Sequence, residues 1–230
     1  LCTCEQAVRV GLKGEYFMSG RIDDLECAYT TLWGFLQGRG EEEGRGDIWV
    51  MFDNEEVGSG TKQGADSSFL EDVLCRVSAA LGRSDVQYRA LLTNSFMVSA
   101  DTAHAVHQNH PEYADRNDRP EMNKGIVIKH NANQRYTTDA VSAAAFEAVC
   151  RRAEVPVQSF TNRADIAGGS TLGHISAAHV SINTVDIGLA QLAMHSAYET
   201  AGAKDTEYLA AAAREFFGSR LHSLIAVGFK

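Results

Sequence analysis

The sequence predicts an α/β fold, a three-layer sandwich with a mixed, largely parallel central sheet flanked by helices. Three observations point there. Short apolar runs at 48–52, 96–100, 125–129, 157–161 and 180–187 read as strands. Segments with apolar residues at helical spacing lie between most of them. The chain's 230 residues, 44% hydrophobic with only 3 prolines, suffice for a large domain with a substantial core and do not read as disordered.

In chain order, residues 6 to 18 read as a strand or hairpin leading into SGRIDDLECAYTTLWGFLQ. There Leu25, Ala28, Tyr29, Leu32, Trp33 and Leu36 fall at helical spacing, which puts Asp23 and Asp24 near a helix N-terminus. GRGEEEGRGD (38–47) is a polar, Gly-rich connection. Ser67 to Leu81 reads as an amphipathic helix closed by Gly82, and SDVQYRALLTNS connects it to the strand Phe96–Ala100. His104, His107 and His110 stand at i, i+3 and i+6, either as ordinary loop or helix-surface imidazoles or as a metal cluster. A strand at 125–129, an alanine-rich helix at 140–153 and a strand at 157–161 follow. RADIAGGSTLGHIS is a Gly-rich bend into a helix, and its GGSTLG lacks the spacing of a nucleotide loop. The strand VSINTVDI leads to GLAQLAMHS, with His195 at a helix start or in a loop, and a last helix spans 206–217.

Composition narrows the partners. A net charge of −9 argues against a nucleic-acid backbone, and no apolar run approaches the length of a membrane span. The start, LCTCEQAVRVG, has no signal-peptide pattern. Of the five cysteines, Cys2 and Cys4 lack a second pair at zinc-site spacing, so reduced, mostly buried thiols in a cytosolic protein are expected. The chain begins without methionine and in mid-pattern, and reads as part of a longer polypeptide.

The chemistry concentrates in DIWVMFDNEEVGSG (47–60). Ile48–Phe52 reads as a buried strand, and Glu55 and Glu56 arrive where it stops. Adjacent side chains on an extended segment point to different sides, so one glutamate can hold a metal while the other faces a substrate water as general base. A solvated loop is the plainer reading of two glutamates alone. Asp23, Asp101 and His195 also fall at strand ends or helix starts, where the ligand crevice of an open α/β sheet lies. Carboxylate oxygens with an imidazole nitrogen suit zinc.

These residues resemble the M18 family of metallopeptidases, the aspartyl aminopeptidases. The matching strings are SGRIDDL, DNEEVGS, KQGADSSFL, SFMVSADTAHAVHQNHP, VIKHNANQRYTTDA, FTNRADIAGGSTLG and TVDIGLAQLAMHS with YET after it, in family order over 17–217. The resemblance implies an aminopeptidase with two zinc ions, or Mn or Co in the same O/N site. Asp23 would bridge the ions, Glu56 and His195 would bind one, and Asp101 the other. Glu55 would be the general base, and His104 and Lys129 would line the pocket for the substrate's first side chain. The Lys129 ammonium would favour Asp or Glu there. A cis Asp23–Asp24 peptide, a cytosolic location and a homo-oligomer, a tetrahedral dodecamer admitting short or unfolded peptides, are implied as well.

The resemblance takes residues 1–230 as the C-terminal portion of the catalytic domain, after an inserted dimerisation domain. The family's fifth ligand, a histidine, comes from the preceding half, so these residues alone are expected to be inactive. Two smaller departures, Gln108 for a common proline and Asp24 for a common asparagine, are expected to touch no ligand. The rival readings are a related dizinc hydrolase of other specificity and a catalytically silent assembly protein.

Overall fold

The computed structural model describes residues 3–38 and 44–219. In chain order these form β1 (Val8–Val10), β2 (Tyr16–Ser19), α1 (Ile22–Gln37), α2 (Phe69–Ala80), α3 (Asp85–Thr93), β3 (Phe96–Ala100), β4 (Ala103–His104) and β5 (Ile126–His130). Then come α4 (Ala140–Arg152), β6 (Val157–Thr161), α5 (Leu172–Ser176), β7 (Asn183–Gly188), β8 (Ala190–Leu192), β9 (Glu199–Gly202) and α6 (Ala203–Gly218). Part of the polar connection at 38–47, and Cys2, lie outside the described residues.

The central sheet runs β3-β7-β5-β6. Its β3/β7 and β5/β6 pairs are parallel and its β5/β7 pair antiparallel, the mixed sheet that the alternating pattern predicts. In a second sheet, β1-β2-β9-β8-β4, the β1/β2 hairpin falls where residues 6 to 18 predict it, while β4, β8 and β9 were not legible, because they are two to four residues long and carry no apolar run. The two faces of the central sheet follow the strand period of two. Ile126 and Ile128 of β5 and Val185 and Ile187 of β7 join Cys27, Phe146, Cys150, Leu209 and Ala212 from α1, α4 and α6 in the main core. Val127 faces the other way, with Ala103, Tyr136, Phe160 and Ala190. Lys129 and Asp186 share that second face by the same alternation.

One expectation needs correction, and one helix face is set by its neighbour. Ile48–Phe52 forms no strand: Ile48 is 50% and Met51 60% exposed. A strand needs a neighbour to satisfy its backbone groups. Here Val50 and Phe52 instead pack against Leu70, Leu74, Tyr88 and Val180, and a cleft of about 1300 Å³ separates the segment from edge strand β3. On α1 the buried face is Ile22, Glu26, Cys27, Thr30 and Gly34, while Leu25, Tyr29, Trp33 and Leu36 are exposed. Close contact with α6 decides this, since a Cβ on Gly34 would overlap Ala213. Two helices that meet along small residues leave the bulky stripe outside.

The segment expected as a connection to β3 contains helix α3, whose Ser84-x-x-Gln87 capping box is visible in the sequence. Gln87 Oε1 accepts from the Ser84 amide at 2.8 Å, and Ser84 Oγ accepts from the Gln87 amide at 3.4 Å. Among the described cysteines, all free, Cys27 and Cys150 are buried and Cys4 and Cys75 exposed, so the thiols are only half as hidden as expected.

The α1–α6 contact also buries carboxylates. Glu26 accepts from Thr206 Oγ1 at 2.7 Å, and Asp205 accepts from the Asn123 and Gly125 amides. Burial pushes Glu26 up to about 7 and Asp205 up to about 6. A carboxyl whose folded pKa exceeds its unfolded value binds extra proton when folded, so its cost is absent below the model-peptide value of 4.5 for Glu and grows until pH passes about 7. Glu26→Gln, which keeps an acceptor for Thr206, should therefore stabilise the metal-free chain at pH 8 by roughly 1–3 kcal/mol. Denaturant melts should show that gain shrinking to nothing near pH 4.5; an equal gain at both pH values would contradict this account.

Candidate metal centre

Four short segments at or between element ends carry the site. Asp23 follows β2, where Arg21 sits in the left-handed region (φ 61°) and Asp23 and Asp24 depart from helical angles, so the regular helix begins after them. Asp101 directly follows β3, and its amide donates to the Ile187 carbonyl at 3.1 Å, prolonging the parallel pairing by one residue. Gly188 opposite has no side chain because a Cβ there would overlap the Asp101 carbonyl oxygen and crowd the Lys129 stem. His195 follows β8 in a turn with φ 66°, a loop and not a helix start. Glu55 and Glu56 also lie in a turn, closed by Gly58 N–H to Glu55 O at 2.8 Å and Ser59 N–H to Asn54 O at 3.0 Å. A turn, and not a pleat, aims the two glutamates apart.

The fold brings these residues together. His195 Nε2 lies 3.1 Å from Asp23 Oδ2 and 3.1 Å from Glu56 Oε2. Asp23 Oδ1 accepts from the buried Thr102 hydroxyl at 2.6 Å. On its other side Asp23 groups with Asp24 and Asp101, their ligand atoms all within 4.8 Å of one another. Asp24 therefore does stand among the expected ligands, contrary to the sequence reading, and its Oδ1 is buried without a hydrogen-bond partner. Thr102 was also missed; its only signal is its place in VSADT.

Lys129 and His104 border the group. Lys129 is 3% exposed, with its Nζ 3.0 Å from Asp101 Oδ2 and 5.7 Å from the centre of the Tyr136 ring. Burial alone would lower this ammonium's pKa, but Asp101 and Tyr136 hold it above its ordinary value. His104, exposed on β4, is within electrostatic reach of Lys129, His195 and Asp101. His107 and His110 have ring centres 5.4 Å apart and tilted by 40°, and join no ligand group among the described residues; His110 Nδ1 instead meets Glu112 at 3.0 Å.

Electrostatics test whether these residues suit a metal. Burial, then the Asp101 charge, push Asp23 up to about 7 and Asp24 well above the carboxylate range. Burial, then Asp101 and Asp23, raise Glu55 too. The protein alone leaves these carboxylates crowded and undercompensated, and a divalent cation relieves such crowding. Hard oxygen donors joined by one imidazole nitrogen match zinc. The residues fit.

Comparison with known proteins agrees. The family model for aminopeptidase I zinc metalloprotease (M18) matches residues 1–217. A probable M18 family aminopeptidase 2 from Clostridium novyi is 45% identical over 213 residues, covering 93% of this chain and 49% of the relative. Its counterpart from Pseudomonas aeruginosa is 43% identical over 215 residues, covering 94% and 48%. The chain thus spans about half the length of the curated relatives it matches. Among solved structures, the Ape4 and Nbr1 complex aligns with a TM-score of 0.89 at 36% identity, covering 97% of this chain and 43% of that one. The mApe1 dodecamer of S. cerevisiae aligns at 0.84 and 29%, covering 98% and 51%. Fold and family match converge: this chain belongs to the M18 family of aminopeptidase I zinc metalloproteases.

Proposed function

We propose that these residues are the C-terminal portion of the catalytic domain of a dizinc aminopeptidase that releases N-terminal residues, preferentially Asp or Glu, from peptides. The observation that carries this reading is the meeting of Glu56, His195 and Asp23 at 3.1 Å, with Asp101 and Asp24 on the far side of Asp23. In this reading Glu56, His195 and Asp23 would hold one ion, and Asp101 with Asp23 would hold the other. When bound, the pair of ions supplies Lewis-acid polarisation of the scissile carbonyl and a more acidic water. Thr102 fixes the rotamer of Asp23 through its 2.6 Å hydrogen bond. Glu55, half-buried beside Asp101 and Asp23, takes the proton from the attacking water and returns it to the leaving amine. Lys129 brings positive charge to the floor of the site and His104 borders it, which supports an acidic first side chain by charge pairing.

The second ion finds only Asp23 and Asp101 among the expected ligands here, so the reading draws a further ligand from residues outside these 230 and has them inactive alone. The dodecameric yeast relative supports a homo-oligomer, and the reading places the protein in the cytoplasm. No described helix is long and apolar enough to cross a membrane.

Metal content and turnover test the proposal, using p-nitroanilides of Asp, Glu, Ala and Leu on this polypeptide and on one extended to the length of the relatives. The extended chain should bind two ions, prefer Asp or Glu, lose activity to a chelator and regain it with zinc, manganese or cobalt. Preference for Leu or Ala would move the assignment to another specificity on the same site. No metal and no turnover in either chain would make it a silent assembly protein.

A further inference from the structure

Glu199 opens β9 and is 2% exposed, yet no cation pairs with it among the described residues. Its two carboxylate oxygens are taken up separately. Oε2 accepts from the Asp23 backbone amide at 3.0 Å, and Oε1 accepts from the His195 backbone amide at 2.9 Å. One side chain thus ties together the two turns that carry Asp23 and His195, whose own functional atoms meet at 3.1 Å on the opposite side. The register Ser19↔Glu199 sets this carboxylate beside the end of β2, where the chain leaves for Asp23.

Both turns need such a restraint. Arg21 (φ 61°) on one and Ala193 (φ 59°) and His195 (φ 66°) on the other are non-glycine residues in the left-handed region. Residues persist there where surrounding contacts over-determine the backbone. Charge-assisted bonds from amides to a buried carboxylate are stronger than neutral ones and have defined direction. Packing of β9 against β2 and β8 aligns the strands, but it does not reach the turns beyond their ends.

We propose that Glu199 is a positioning residue, a carboxylate clamp that sets the separation of Asp23 and His195 and thereby the affinity of the site for its metal. This rests on the metallo-aminopeptidase reading above. Glu199 touches neither Asp23 Oδ nor His195 Nε2; it acts through their backbones.

Glu199→Gln leaves one acceptor oxygen and turns an amide NH2 toward an N–H donor. In the full chain it should keep a cooperative melt in chelator within a few degrees of wild type. Its zinc affinity, measured by competition with a chromophoric chelator, should fall about 10–100-fold. The visible spectrum of the Co2+-loaded protein, which reports ligand geometry and does not respond to stability, should shift. Glu199→Asp keeps both oxygens one methylene short and should lose affinity too. Wild-type zinc affinity and cobalt spectrum in either folded variant would overturn the clamp. Failure of both variants to fold would make Glu199 a folding residue and overturn it as well. Absence of zinc binding by the wild type would instead sink the reading beneath it.

Discussion

Glu55→Gln should lower kcat by about 10²–10⁴-fold while leaving zinc content and KM near their wild-type values. The amide copies the shape of the carboxylate and cannot accept a proton. Glu55 belongs to neither ligand group, whereas Glu56 next to it reaches His195 at 3.1 Å, so only the first substitution should spare the metal. In the metal-free chain burial, then Asp101 and Asp23, raise the Glu55 pKa above the ordinary glutamate value. The acidic limb of the kcat/KM profile should follow that ionisation in wild type and vanish from the residual activity of Glu55→Gln. Loss of zinc together with activity would show that Glu55 is a ligand and remove it as the base.

Asp23→Asn should have opposite effects on function and on the stability of the metal-free chain. Asparagine keeps an oxygen for the Thr102 hydroxyl but withdraws the anion shared by both ligand groups. Bound metal should fall below one ion per chain, and turnover should become undetectable. Stability in chelator should rise. The Asp23 pKa is pushed up to about 7, first by burial and then by Asp101, so the charged side chain costs most above pH 7. At pH 8 the variant should gain roughly 1–3 kcal/mol, a figure kept below the full shift because the carboxylates titrate together. The gain should shrink as pH falls below 7, be smaller at pH 5, and vanish only below the ordinary aspartate value of 3.8, where the unfolded chain is protonated too. Calorimetry in chelator at the two pH values checks this, and a metal-free variant less stable than wild type at pH 8 would contradict it.

Local composition carried much of the fold. Phe96–Ala100 and Val157–Thr161 are strands at the expected residues, and α2, α4 and α6 fall within three residues of their expected limits. Each has a pattern contained in its own few residues. β4, β8 and β9 have none, since two to four residues take strand geometry only when a neighbouring chain supplies their hydrogen bonds.

The candidate ligands were legible for a different reason. Asp23, Glu56, Asp101 and His195 sit in long strings shared with a family, and strings survive without coordinates. Their convergence around Asp23 is a tertiary fact.

By itself the sequence determined the family and the α/β class, and it named the candidate residues for a metal centre. Tertiary structure alone decided that Ile48–Phe52 stays unpaired, that α1 buries Cys27 and Gly34 and not its leucines, and that Asp24, Thr102 and Glu199 surround the ligands. Periodicity records which residues share a face but not what that face meets, and a buried carboxylate takes its role from donors that only folding brings within 3 Å.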